Sequence, residues 1–196
     1  AMLHHMTLES FDTRGNDLDN NQRTSLETAH RAAKNFAADP DGWLTFEGET
    51  GIGKTHLAIA IAVECIKRGQ QVFFAFVPQL MDHLRHSFAP DSPITYDHLF
   101  DKVKTAQLLI LDSLDTAEIT SDWALEKLYQ IIVLRHNARL PMVITADGRY
   151  ASRDSETSPS RAILDEAITS RIQDLEIGQV VSMEAADYRT KKRTIK

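Results

Sequence analysis

Apolar positions along the chain recur either about every 3.6 residues or in short continuous runs, and the alternation between these rhythms sets out the elements. From Gln22 to Ala38, Leu26, Ala29, Ala33, Phe36 and Ala37 keep helical spacing, and Asp39-Pro40-Asp41-Gly42 ends the run, so a first helix and a turn are expected. WLTFE at 43–47 predicts a short strand, and after a glycine-rich stretch HLAIAIAVECIKR predicts a helix with Gly69 as its C-cap. VFFAFV at 72–77 is almost entirely apolar, which predicts a strand covered on both faces. Strand, helix and strand in that order make a parallel βαβ unit.

Between 78 and 105, PQLMDHLRHSF and YDHLFDKVKTA each carry helical periodicity, and the two prolines of APDSPIT require a break between them. LLILD at 108–112 predicts a third strand, and MVITA at 142–146 a fourth. SDWALEKLYQIIVLRHNARL at 121–140 predicts the longest amphipathic helix, with Ser121 or Asp122 as N-cap. GRYASRDSETSPS at 148–160 has loop composition, a short helix is expected at about 161–174, and QVVSM at 179–183 reads as a last strand. The pattern therefore predicts an α/β domain over residues 22–188, built on a parallel five-stranded sheet covered by helices. Residues 1–21 read as an N-terminal arm, its AMLHHM start partly a cloning scar and its Phe11 available to pack onto the domain. Residues 189–196 read as a frayed basic tail.

Composition narrows the classes. With 196 residues and 42% hydrophobic content, the chain supports one ordinary core. No apolar stretch approaches the roughly 20 residues of a membrane span, and no secretion signal opens the chain, so a soluble cytoplasmic protein is expected. Cys65 is the sole cysteine, which excludes an internal disulfide and a cysteine zinc cluster, and it reads as a small core residue. A net charge of −6 argues against coating duplex DNA by overall positive charge, while a local basic lining for a single strand remains compatible.

GETGIGKT at 48–55 satisfies G-x-x-x-x-G-K-[ST] between a strand and a helix. Such glycines let successive N–H groups curl around phosphate, helped by the positive end of the helix dipole. The candidate nucleotide-binding residues are Gly48, Glu49, Thr50, Gly51, Ile52, Gly53, Lys54, Thr55 and His56. Lys54 is expected to reach the β- and γ-phosphates of ATP or ADP, and Thr55 to ligate Mg²⁺. Asp112, at the end of an apolar strand expected to neighbour the phosphate loop, is the candidate second Mg²⁺ ligand. The bland alternative for Asp112 is a turn-forming aspartate at a strand end.

Residues from about 9 to 190 resemble the AAA+ ATPase domain of the DnaC/DnaI helicase loaders and the related IstB transposition helpers. The resemblance is carried by GWLTFEGETGIGKTHLAIAIA, VPQLMDHLRHSF, AQLLILDSLD, WALEKLYQIIVLRHNARLPMVITAD, ITSRIQD and the terminal DYR. It implies a three-layer fold with a reduced C-terminal lid, Walker A roles for Lys54 and Thr55, and the Walker B magnesium role for Asp112. It further implies a sensor-1 position at Asp147 and, at Arg171, an arginine finger directed at a neighbouring subunit's γ-phosphate. The implied catalytic set is Lys54, Asp112 and Arg171; the implied partners are a replicative helicase, single-stranded DNA gripped with help from the 78–106 insertion, and further copies of the chain.

The chain departs from that pattern at Ser113 and Asp115, in place of an acid and a glycine, and at Asp147. Loaders of this type commonly read LLILDDLG, with a second acid that orients and deprotonates water, where this chain has Ser113; an ordinary serine hydroxyl is not a base, so slow hydrolysis is expected. Asp115, two residues beyond Ser113, is an alternative acid. Asp147 stands where an asparagine is usual, and a carboxylate about 5 Å from a phosphate costs about 3 kcal/mol per unit charge at a dielectric of 20, so ATP should be held less well than ADP. These departures keep open a non-hydrolysing nucleotide switch or scaffold, and the close likeness of the two families in this domain keeps open an IstB-like transposase helper. For single residues, the plainer readings are an Arg171–Asp174 surface pair, a solvated Arg189, and packing roles for Trp43 and Trp123.

Overall fold

The computed structural model describes residues 5–14, 18–88, 95–115, 119, 121–147 and 159–188. The first half runs α1 (Asn20–Ala38), β1 (Trp43–Glu47), α2 (Lys54–Lys67), β2 (Val72–Phe76), α3 (Val77–His86) and α4 (Tyr96–Thr105). The second runs β3 (Leu108–Asp112), α5 (Asp122–Asn137), β4 (Met142–Ala146), α6 (Pro159–Ile172) and β5 (Gly178–Ser182). The strands form one parallel sheet in the order β2-β3-β4-β1-β5. Glu47 lies opposite Ala146 and Ser182, and Leu111 opposite Ile144, so the strands deliver their C-terminal ends to one edge.

Strand parity divides the core into two layers. Leu109, Leu111, Met142 and Ile144 join Trp43 on the face covered by α3, α4, α5 and α6. Leu108, Ile110, Leu44, Phe46 and Val143 lie on the face covered by α1 and α2. Asp112 and Thr145 continue this second parity, on the side of α2. Burying a leucine or isoleucine is worth about 1.5–3 kcal/mol. The buried leucines of β3 thus fix its register, and a one-residue slip would turn Asp112 to the wrong face.

Several expected boundaries move for identifiable reasons. Helix α1 starts at Asn20 because Asp19 and Gln22 form a reciprocal capping box, and at 19 residues it outruns the 16 of α5. Helix α5 stops at Asn137: Arg139 takes a φ of 51°, and Leu140 N–H returns to the Arg135 carbonyl at 3.0 Å. Strand β2 is an edge strand rather than one covered on both faces, and Phe74 and Phe76 each remain 39% exposed. A continuous apolar run reports hydrophobicity but not which neighbour is missing. Most of the expected break at 89–95 and loop at 148–160 lies outside the described residues, as do Arg189 and the basic tail.

The N-terminal edge of the sheet is closed by Arg135, which is fully buried. Its Nη1 donates to the carbonyls of Ala106 at 2.9 Å, Lys104 at 3.0 Å and Val103 at 3.4 Å, and its Nη2 donates to Pro141 at 2.6 Å. One guanidinium thereby joins the end of α4 to the residue before β4. Loss of hydration pulls its pKa down to about 10. Nearby, Trp43 Nε1 donates to Leu140 at 3.0 Å, and the His136 ring packs edge-on against Trp43 while contacting Asp174 at 2.9 Å. That contact holds the Asp174 carboxyl below the usual carboxylate range. Trp43 and Cys65 are core residues, as expected.

Candidate functional site

Residues 48–53 leave β1 and turn into α2. Gly53 precedes the helix with φ 103°, and Gly51 has φ 87°, a region unfavourable to side chains. Space imposes the same choice: a Cβ on Gly53 would lie 2.7 Å from the Phe11 ring, and one on Gly51 would lie 2.0 Å from Asp187 Oδ1. Ile52 is buried in the α1/α2 layer and anchors the loop from beneath. No side chain caps α2, so its first N–H groups and the positive end of its dipole are directed into the loop.

Lys54 is 8% exposed and turns back over this loop. Its ammonium donates to the carbonyls of Gly48 at 2.5 Å and Glu49 at 2.7 Å and to Asp147 Oδ1 at 2.7 Å. Thr50 Oγ1 donates to the other Asp147 oxygen at 3.1 Å. Asp147, just beyond β4, therefore engages two residues of the loop.

Asp112 reaches the same region from β3. Strand β4 lies between β3 and β1, so the Asp112 strand is one removed from the phosphate-loop strand rather than its neighbour. The carboxylate still accepts from Thr55 Oγ1 at 2.8 Å, because parity turns it toward α2. It also accepts from Thr145 Oγ1 at 2.7 Å, and Thr145 Oγ1 in turn accepts from the Ser113 N–H at 2.9 Å. Ser113 has φ 58°, a left-handed conformation that costs most side chains about 1–2 kcal/mol but that aspartate and asparagine visit more readily. The backbone at 113 is thus of the kind that suits an aspartate.

The remaining candidates are dispersed. His56 faces the N-terminal arm, with Nε2 3.0 Å from the Thr7 carbonyl and 3.2 Å from Ser10 Oγ, and its ring edge-on to Phe11. Phe11 also stacks on His30, so the arm packs onto α1 and α2. Asp115 is buried in the turn after β3. Arg171 lies on α6, donating to Ala167 at 2.8 Å with its guanidinium over the Tyr129 ring at 5.7 Å. The plainer alternative, an Arg171–Asp174 pair, is not what forms: Asp174 pairs with His136. Sequence reasoning missed Thr145, Thr50 as a partner of Asp147, and the return of the chain over Gly51, where Tyr188 N–H donates to the Gly51 carbonyl at 3.0 Å. A threonine within MVITA was the available signal for Thr145.

A second cluster lies on α3, α4 and α5. Phe88 stacks on Tyr96 at 4.3 Å, Tyr96 on Phe100 at 5.2 Å, and Phe88 meets Trp123 edge-on. Lys104 lies 4.6 Å from the Phe100 ring, Lys127 lies 6.0 Å from Tyr96 and Phe100, and Arg85 lies 5.8 Å from Trp123. Trp123 packs partly against the core, as expected, while joining this surface group.

A parallel sheet with helices on both faces, a glycine loop running into α2, and a strand-borne aspartate at the threonine of that helix define a phosphate-loop protein of the AAA+ type. The chain belongs to the IstB-like ATP binding protein family, whose profile matches residues 1–195. It is 32% identical over 93 residues to the replicative helicase loader DnaC of Buchnera aphidicola subsp. Schizaphis graminum, a match covering 47% of this chain and 37% of that protein. It is 25% identical over 155 residues to the insertion sequence IS5376 putative ATP-binding protein of Geobacillus stearothermophilus, covering 78% of this chain and 57% of the other. The crystal structure of the DnaC helicase loader superposes with a TM-score of 0.67 and 26% identity over 90% of this chain and 98% of that one. The chain thus spans little more than a third of the first relative's length. Among the described residues no helix is long and apolar enough to cross a membrane.

Proposed function

We propose that residues 22–188 form the nucleotide-binding core of a DNA-handling AAA+ ATPase of the helicase-loader type. Its nucleotide state governs its grip on single-stranded DNA and on a replicative helicase. The observation that carries this reading is the meeting of Lys54, Thr55 and Asp112 at the end of the sheet where the glycine loop enters α2. Lys54 and the N–H groups of the loop hold the phosphates. The Thr55 hydroxyl and the Asp112 carboxylate are two hard oxygen donors 2.8 Å apart, a fit for Mg²⁺, which keeps waters and phosphate oxygens as its other ligands. When bound, Mg²⁺ neutralises charge on the β- and γ-phosphates. Arg171 serves the site of a second copy rather than its own, since its described contacts are on α5 and α6.

Hydrolysis is slow in this reading, because Ser113 offers no base. Phe88, exposed at the head of the stack with Tyr96, suits stacking by a base of a single strand, and Lys104 and Lys127 beside the rings suit its backbone phosphates. A transposase-helper role is the second reading, supported by the match to the insertion-sequence protein over 78% of this chain.

Nucleotide binding is tested by calorimetry with Mg-ADP and Mg-ATP, and turnover by phosphate release with and without single-stranded DNA. Binding with little turnover is expected; failure of both nucleotides to bind overturns the proposal, and rapid turnover abolished by Lys54→Ala overturns its slow-hydrolysis part. Capture of purified replicative helicase, set beside capture of a transposase, separates the two readings.

A further inference from the structure

We infer that Asp147 sets both the affinity and the selectivity of the nucleotide site, by holding the Lys54 ammonium that an arriving phosphate must take over. The inference rests on the nucleotide-binding reading of residues 48–55 and adds a competitor from within the chain. A lysine ammonium has three N–H donors. All three are matched: Gly48 and Glu49 supply carbonyls, and Asp147 supplies a carboxylate at 2.7 Å. A phosphate oxygen reaches Lys54 only by displacing one of these acceptors.

The Asp147 contact is the charged one, and at 9% and 21% side-chain exposure for Lys54 and Asp147 it is poorly screened. Thr50 fixes the second carboxylate oxygen at 3.1 Å, so the carboxylate is oriented as well as paired. Asp147 therefore acts as an internal anion on the phosphate loop. Displaced, it stays beside the phosphates as a negative charge.

The consequence differs from that of simple repulsion between an aspartate and a γ-phosphate. Repulsion at the γ position weakens ATP and spares ADP. Competition for Lys54 weakens every nucleotide that uses the lysine, ADP included, and repulsion then adds a further loss for ATP. The site is thus weakened for both nucleotides and selective for ADP over ATP.

The test compares wild type with Asp147→Asn and Asp147→Ser, each checked for native circular dichroism. Two readouts are taken: acetylation of Lys54 by acetic anhydride without nucleotide, followed by mass spectrometry, and calorimetric affinity for Mg-ADP and a non-hydrolysable Mg-ATP analogue. Both variants are expected to label Lys54 several-fold faster. They should bind Mg-ADP about tenfold more tightly, about 1.4 kcal/mol, with a larger gain for the ATP analogue. Unchanged labelling with a gain confined to the ATP analogue overturns the competition and leaves repulsion alone. Unchanged labelling and unchanged affinities remove any role for Asp147. Faster labelling with no nucleotide bound by any form overturns the nucleotide reading itself, and the inference falls with it.

Discussion

Two cations at opposite edges of the same sheet solve different problems with similar partners. Arg135 and Lys54 are both buried and both donate to backbone carbonyls. Arg135 spends its rigid fork on four carbonyls at the end of α4 and before β4, fully out of water. Lys54 sits at the C-terminal edge on a flexible stem, its contacts shared between loop carbonyls and a carboxylate that a stronger anion can replace. Permanence comes from a planar group surrounded by fixed acceptors; exchangeability comes from a compact charge with a rival anion beside it.

The comparison breaks most clearly at Arg135. Arg135→Ala removes the guanidinium from four carbonyls, leaves a cavity in its place and should cost about 3–5 kcal/mol of stability, read from urea unfolding. Arg135→Lys should recover only part, because an ammonium cannot reproduce the fork. Lys54→Ala should do the reverse: nucleotide affinity falls at least a hundredfold by calorimetry, about 2.7 kcal/mol, while the urea midpoint moves less than in Arg135→Ala because the Asp147 carboxylate can rehydrate. Equal loss of stability in the two alanine variants would erase the distinction.

Ser113→Asp sharpens the picture at the functional edge. The left-handed backbone there accommodates aspartate, so steady-state phosphate release should rise about a hundredfold without loss of stability. No rise would mean that Asp115 or another group already supplies the base. The smallest effect is expected at the structural edge, in His136→Ala. Asp174 titrates below its ordinary range chiefly because His136 hydrogen-bonds its carboxylate. That stabilisation is present above the ordinary carboxylate pKa and fades as pH falls through the lowered value. The variant should move the Asp174 titration upward, followed by carboxyl carbon NMR, and should shrink the loss of stability on acidification.

Much of this arrangement was legible in the sequence, for reasons that can be traced residue by residue. The glycine loop was readable because phosphate binding demands N–H groups with nothing in front of them, a demand that acts on neighbouring positions. Asp112 was readable because four apolar residues before it announce a buried strand. The strand order was not: nothing local in LLILD or MVITA says that β4 inserts between β3 and β1. Nor was the edge position of β2, whose phenylalanines look identical to core residues until the missing neighbour is known. At Asp147 the sequence suggested a charge facing phosphate, whereas its described partners are Lys54 and Thr50, contacts set by distant turns folding to one edge. His56 was read as a phosphate-loop residue, and nothing in that motif signals that its side chain contacts the arm.

The phosphate loop is also where distant parts of the chain are fastened. Phe11 lies against Gly53, and Tyr188 hydrogen-bonds Gly51, so residues early and late in the sequence meet on two glycines of one turn. Glycine offers no side chain to lock them, only a bare surface and a carbonyl. The loop is therefore a clasp as well as a cradle: any force or partner that draws the arm or the 184–188 segment away acts directly on the turn that would hold phosphate.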